Sequence, residues 1–477
     1  MTVTMPAPPR APAAPSAVRR RGTAVALVAA SVPMFMATLD NLVMTTALPV
    51  LRTELSASLE QLQWMVNAYT LSFATLMIAA ATLGDRWGRR RVFIAGIVVF
   101  ALASVASALA TTAELLIAAR AVQGAGAAAI MPLSLTLLAG AVPAARRAMA
   151  IGVWGGVSGL GVALGPVIGG AVTEGISWEA IFWINVPVAV VGIPLALWAL
   201  PESHGRRQPL DLPGVALAGT GILALVWAII RGNDDGWGSA RVIGGLVAAL
   251  LLLGGFLVRE SRAQHPLVPL RLFRVRSFAV ANGSGLAFSF GVFGLVFLLA
   301  QYLQIGMGFT PLEAGLRTLP WTAAPMVFAP LAGLLAPRIG VRPLLAGGLI
   351  LQAAGLAWQG LLVTTDGLVY TDLVPGLVLT GVGMGLTFAP SATAVLFDMA
   401  PDDHGTASSV NSTIREIGGA LGVAALVAVF TASEGTLTPD GYAAGLQPAA
   451  LVAAVVVALS AVLVLVGMPR STGRVTP

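Results

Sequence analysis

Apolar stretches of about 20 residues recur from one end of this chain to the other, parted only by short polar linkers, and each is long enough to span a bilayer. Only 10% of the 477 residues are charged, against roughly a quarter in a soluble globular protein. That is too little polar surface to cover a water-soluble fold. No polar stretch is long enough to fold by itself. The expected fold class is therefore an all-α membrane protein.

Fourteen spans are predicted, at 23–50, 62–83, 91–110, 115–139, 147–172, 180–200, 212–231, 240–258, 278–303, 313–337, 342–362, 371–396, 405–431 and 445–467. The pair 212–231 and 240–258 falls in the middle and leaves six spans on either side. The expected organisation is a disordered cytoplasmic N-terminus (1–22), a six-helix bundle (23–200), a two-helix insertion (201–258), a cytoplasmic amphipathic linker (259–277), a second six-helix bundle (278–467) and a cytoplasmic tail (468–477). The first apolar run is not read as a signal peptide, because it is too long, carries Asp40 and continues to Pro49.

Every basic residue among the 27 is arginine. With both termini placed in the cytoplasm, 21 of them fall on the cytoplasmic side, including Arg86, Arg146, Arg206 and Arg207. Arg52, Arg231 and Arg241 fall outside, and Arg120, Arg317 and Arg415 lie within spans. This asymmetry sets the topology. It is not a nucleic-acid footprint, and no nucleic-acid partner is expected.

Several chemistries are excluded. The chain has no cysteine, so disulfides and thiolate sites are absent. Its three histidines (His204, His265, His404) are scattered through linkers, so no metal site is expected. Gly124-Ala125-Gly126 with Ala129 is a degenerate dinucleotide fingerprint, but it lies inside an apolar span with no preceding strand. There is no P-loop and no G-x-S-x-G elbow. An enzyme and a bound cofactor are both unexpected, and transport energy has to come from a gradient.

Four features remain. The loop Leu83-Gly84-Asp85-Arg86-Trp87-Gly88-Arg89-Arg90-Arg91 sets an acid and a glycine among arginines. Beyond topology, it suits a salt-bridged clasp that forms in one state and breaks in another. Arg120 opens the fourth span, where a charge is costly and functional by default. The fifth span crowds Gly152, Gly155, Gly156, Gly159, Gly161, Gly165, Gly169 and Gly170 around Pro166. The Gly161, Gly165, Gly169 spacing lets two helices touch backbone to backbone. Arg415 and Glu416 sit together in the thirteenth span. Neighbours on a helix point about 100° apart, so Glu416 is expected to face Ser412 or a cavity rather than Arg415.

These motifs resemble the major facilitator superfamily, and within it the fourteen-helix drug–proton antiporter branch of multidrug efflux transporters. LGDRWGRRR resembles the superfamily's loop signature and RAVQGAGAA its fourth-helix signature. GVALGPVIGG (161–170) resembles the antiporter signature of the fifth helix. LDNLVMTTALP (39–49) and SWEAIFWINVPVA (177–189) resemble the first-helix signature and the entry to the sixth helix. Departures are Ala81 for a glycine, Leu42 and Thr45 after Asp40, and Glu416 where a neutral residue is common.

The resemblance implies two six-helix bundles around a cavity open alternately to each side, and proton-coupled export of a small amphipathic or cationic molecule. It implies a multi-pass bacterial plasma-membrane protein acting as a monomer. Asp40, the acid deepest in the first span, is the expected proton site, with Arg120 near it in depth and Glu416 as a second proton or cation site. Asp85, Arg86, Gly88, Arg89 and Arg90 form the expected cytoplasmic gate. Gly161, Gly165, Pro166, Gly169 and Gly170 form the antiporter helix. Trp64, Asn67 and Tyr69, with Phe290, Phe293, Phe297, Gln301 and Trp321, are the expected cavity contacts. A nutrient importer, an exporter of a self-made metabolite and a ligand sensor are the alternatives.

Overall fold

The structure is a computed structural model and describes residues 22–205, 209–363, 367–400 and 403–469. Residues 1–21 of the expected N-terminal segment 1–22, Arg206, Arg207 and residues 470–477 of the expected tail 468–477 lie outside the described residues. Among the described residues, fourteen helices are long and apolar enough to cross a membrane. They are α1 (Thr23–Glu54), α2 (Leu59–Trp87), α3 (Arg89–Ala108), α4 (Ala113–Ala141), α5 (Ala145–Gly175), α6 (Ala180–Ala199), α7 (Leu212–Arg231), α8 (Ala240–Arg262), α9 (Arg276–Ile305), α10 (Pro311–Ile339), α11 (Val341–Leu362), α12 (Tyr370–Leu396), α13 (His404–Ala432) and α14 (Pro439–Gly467).

Helices are what a chain in lipid must form, since each satisfies its own backbone groups. Their ends are set by local chemistry. Ser58 and Gln61 form a reciprocal capping box that starts α2, and Thr310 and Glu313 do the same for α10. Thr112, Asp211, Ser239 and Thr438 each accept a backbone N–H at the start of α4, α7, α8 and α14. The turns α2–α3 and α10–α11 are one residue long, built on Gly88 (φ 111°) and Gly340 (φ 93°), a conformation that other side chains resist. Two helices are interrupted. α6 breaks between Trp183 and Asn185, and α10 runs as Pro311–Arg317, Leu319–Thr322 and Ala324–Ile339.

The first six and last six helices repeat one packing pattern. α1 packs on α5, α2 on α4 and α3 on α4; α9 packs on α13, α10 on α12 and α11 on α12. The two halves meet along two seams, α2 against α13 and α5 against α10, with α1 and α9 touching between them.

The two inserted helices break this symmetry. α7 lies on the α2–α13 seam, packing Ile222, Val226 and Ile230 against Leu71 of α2 and Ala420 and Ala424 of α13. Arg231 pairs with Glu60 of α2 at 3.0 Å, and Asn233 Nδ2 donates to the Ala428 carbonyl of α13 at 2.5 Å. α8 packs on α7 and leaves an apolar outer face, with Leu250 73% exposed.

The linker is shorter than its charge suggests. α8 runs on through Arg262 and α9 starts at Arg276, so only 263–275 lie between them, with a 3-10 turn at Leu270–Arg274. Leu272 is buried, Phe273 stacks edge-on against Phe278 at 5.0 Å, and Arg271 makes two bonds to Asp403 at 2.7 and 2.6 Å. That segment is pinned to the second half rather than lying wholly on a surface. The Asp403 carboxyl is held below the usual carboxylate range by those hydrogen bonds from Arg271.

Candidate functional site

Asp40 on α1 and Arg120 on α4 meet inside the first half, Arg120 Nη1 bonding to Asp40 Oδ2. Both are buried. A buried ion pair is tolerated only when its other polar atoms are bonded as well, and here nearly all are. Asp40 Oδ1 accepts Gln123 Nε2 at 2.8 Å and Asn185 Nδ2 at 2.7 Å. Both amides also donate to Ser104 Oγ, at 2.8 and 3.2 Å. Arg120 donates to Gln123 Oε1 at 2.7 Å and to the Met65 carbonyl at 3.3 Å. The Tyr69 ring lies 4.3 Å from its guanidinium carbon, a cation–π distance. Only Nη2 of Arg120 lacks a partner among the described residues.

Sequence reasoning paired Asp40 with Arg120 and missed Gln123, Ser104 and Asn185. A signal existed for two of them. Gln123 lies three residues after Arg120 and so shares its face. Asn185 is an amide within an apolar span, where an unpaired polar group is expensive.

Between the halves is a cavity in two lobes that share a wall of Leu42, Thr45, Phe293 and Val296. The first lobe reaches α5, α10 and α12 and includes Pro166, Trp321 and Met384. The second reaches α2 and α13 and includes Asn41, Asn67, Thr70, Phe297 and Glu416. Glu416 faces this cavity and has no hydrogen-bond or ion-pair partner among the described residues. Arg415 points elsewhere, 4.1 Å from the Phe388 ring and 5.8 Å from Phe288, with its Nε unpartnered.

Of the expected cavity contacts, Asn67, Phe293, Phe297 and Trp321 line the lobes. The others do not line either lobe. Trp64 packs with the α7 cluster and Tyr69 belongs to the Arg120 cluster, because successive positions on α2 turn through about 100°. Gln301 is buried and donates to the Phe297 carbonyl at 3.0 Å. Phe290 presents its backbone to Gly422 of α13.

The glycines of α5 divide into three groups. A methyl group on Gly161, Gly165 or Gly169 would meet Thr38 at 3.2 Å, Leu42 at 2.7 Å or Val43 O at 2.6 Å, all on α1. That small-residue stripe is therefore a contact within one half, not between halves. Gly170 faces the Pro311 carbonyl and Gly315 faces the Pro166 carbonyl, so these two glycines bring α5 and α10 together across the seam. Leu312 N–H donates to Glu174 at 3.0 Å at the same end. Gly152, Gly155, Gly156 and Gly159, near the arginine-rich end, have nothing within 4 Å. Val327 and Leu334 of α10 are 65% and 75% exposed there. The seam is shut at the arginine-poor end and parted at the other.

The α2–α3 loop is clasped, by an acid–arginine pair of its own and by partners beyond α6 that the sequence did not suggest. Arg89 Nε bonds Asp85 at 2.7 Å. Glu202, beyond α6, accepts the N–H groups of Arg90 and Arg91 at 2.9 and 3.3 Å, capping α3, and its carboxylate fills the space beside Gly88. Arg90 donates to the Leu197 and Leu200 carbonyls, and Gly205 N–H to the Asp85 carbonyl. Arg86 is exposed. All these contacts lie within the first half and its exit.

Comparison with known proteins supplies the context. The family model described as Major Facilitator Superfamily matches residues 30–423 and 290–476. The chain is 34% identical to the tetracenomycin C resistance and export protein of Streptomyces glaucescens over 87% of this chain and 78% of the relative. It is 36% identical to a methylenomycin A resistance protein of Streptomyces coelicolor over 84% of each. It is 32% identical to the multidrug efflux pump LfrA of Mycolicibacterium smegmatis over 86% and 81%. Its fold matches a xylose transporter of E. coli, solved in a partially occluded inward-open conformation, with a TM-score of 0.64 at 15% identity over 95% of this chain and 99% of that one.

Proposed function

The chain belongs to the major facilitator superfamily, and on that premise we propose that it exports drug-like or antibiotic small molecules from the cytoplasm in exchange for protons. It is a multi-pass protein of a bacterial cell membrane, in a family of transporters rather than enzymes. One observation carries the export reading: relatives matched over 84–87% of this chain bear names of resistance, export or efflux.

The arginine-rich end is assigned to the cytoplasm, with both termini there. In that orientation the parted α5–α10 seam opens the cavity to the cytoplasm for loading. Cargo enters the two lobes and meets Glu416, while Asp40 exchanges the proton. Protonating Asp40 removes the charge that strengthens its bonds to Arg120, Gln123 and Asn185 on α4 and α6, and so loosens α1 from its neighbours. The halves then rock about the α1–α9 contact, with the Asp85–Arg89–Glu202 clasp favouring one of the two states. A single chain contains all these parts.

The test is substrate-dependent proton movement in proteoliposomes, screened over dyes and antibiotics. Export coupled to an opposing proton flux is expected. Flux of cargo and protons in the same direction would sink the proposal. A second reading, a dedicated exporter of a self-made metabolite, is favoured by the compound-specific names of two relatives. It predicts that a single compound dominates the screen.

A further inference from the structure

The second lobe holds a polar group that nothing in the fold uses. Asn67 on α2 is 0% exposed and lines the lobe, yet neither its Oδ1 nor its Nδ2 has a partner among the described residues. A carboxamide offers an acceptor and a donor side by side, and burying both unpaired is unfavourable. The two threonines on the same wall are already engaged. Thr70 donates to the Val66 carbonyl at 3.1 Å and Thr45 to the Leu42 carbonyl at 2.7 Å. Other buried side-chain amides are spent within the fold, Gln123 and Asn185 on Asp40 and Asn282 on the Phe278 carbonyl and Asn411; Gln352, which lines neither lobe, also leaves both amide atoms unpartnered among the described residues.

The first lobe shows the same contrast. Trp321 Nε1 is buried there without a partner. Away from the cavity, the indoles of Trp154, Trp237 and Trp358 each donate to an oxygen, at 3.1, 2.8 and 2.9 Å. Each lobe therefore carries a buried, unspent hydrogen-bonding group on its wall, Trp321 in the first and Asn67 in the second.

We infer that Asn67 reads an amide edge on the cargo. The ligand class is a small aromatic molecule carrying a secondary carboxamide, whose N–H meets Asn67 Oδ1. The ring occupies the apolar first lobe, where the Trp321 indole supplies a donor to an acceptor on it. Glu416, in the same lobe as Asn67, takes a basic amine beyond the amide. The inference rests on the export reading for treating the ligand as cargo. Water filling the lobe would also pair with Asn67, but it would do so whatever the cargo and would give no preference for amides.

The experiment is equilibrium binding to the full chain in lipid nanodiscs, read by tryptophan fluorescence. The probes are procainamide and procaine, which share the ring and the tertiary amine and differ in an amide N–H against an ester oxygen. The wild-type protein should bind procainamide about three- to tenfold more tightly, the range of one neutral hydrogen bond. Asn67→Leu, apolar and of similar size, should bring procainamide down to the level of procaine. Asn67→Ala should do the same and serves if the leucine variant does not fold. Equal binding of the pair by the wild type, binding of neither, or a preference that survives in a folded variant would overturn the inference. Failure of the export reading looks different: the amide preference stands but no cargo flux is found in proteoliposomes.

Discussion

Asp40 and Glu416 are both carboxylates well inside membrane helices, yet their surroundings are opposite. Asp40 is closed inside one half and accepts N–H groups from a guanidinium and two amides. Glu416 faces the cavity between halves and accepts none. The number of partners assigns the work. A carboxylate with three donors loses, on taking a proton, the charge that strengthens all three bonds, so its protonation is felt by the helices that supply them. A carboxylate with none can change its ligand without disturbing the fold, which suits it to recognition.

Four variants test that contrast. Asp40→Asn should have the largest effect, abolishing accumulation driven by a pH gradient while leaving transport down the cargo's own gradient. Unchanged gradient-driven transport would remove Asp40 from the coupling. Asn185→Leu comes next. Losing one hydrogen bond to a charged group costs about 1.5–3 kcal/mol, so the protein should melt earlier in detergent but keep its proton-to-cargo ratio. An altered ratio would make Asn185 part of the proton exchange rather than its support. Glu416→Gln should be milder, weakening transport of cationic cargo and sparing neutral cargo. If it changed the proton ratio as Asp40→Asn does, the division of labour would collapse.

The smallest effect is expected at an exposed pair that serves as the baseline. Asp403 is held below the usual carboxylate range by Arg271. Its contribution to stability is fully present above the unfolded value near pH 4 and is lost as pH falls through the lowered folded value. Asp403→Asn should therefore flatten the acid side of a melting-temperature profile slightly and leave neutral pH nearly untouched. A loss at neutral pH as large as that of Asn185→Leu would mean that burial is not what separates these sites.

Much of the fold was legible because the bilayer imposes one length scale, and apolar runs of that length show directly in a sequence. The ends were less so. α2 begins at Leu59 rather than 62 because Ser58 and Gln61 cap it, and α1 continues past Pro49 to Glu54. Hydropathy registers neither cap chemistry nor a tolerated proline. At the site, charges announced themselves by their cost, which is why Asp40 and Arg120 could be matched by depth. The neutral Ser104, Gln123 and Asn185 carry a weaker signal. Facing was the hardest to read. Nothing in the identity of Trp64 or Tyr69 says which neighbour they turn toward, and the crowded glycines of α5 gave no sign that three serve α1 and one serves α10.

The placement of α7 over one seam has a further consequence. A cavity between two halves has, by symmetry, two flanks through which a greasy molecule could slip sideways from the bilayer. Here one flank is boarded up by a helix bonded to both sides of the gap. The other is parted only toward the arginine-rich end. A lipid-dissolved cargo therefore has a single doorway, and it opens onto one leaflet. A cargo analogue tethered in that leaflet should be picked up, and the same analogue confined to the opposite leaflet should not.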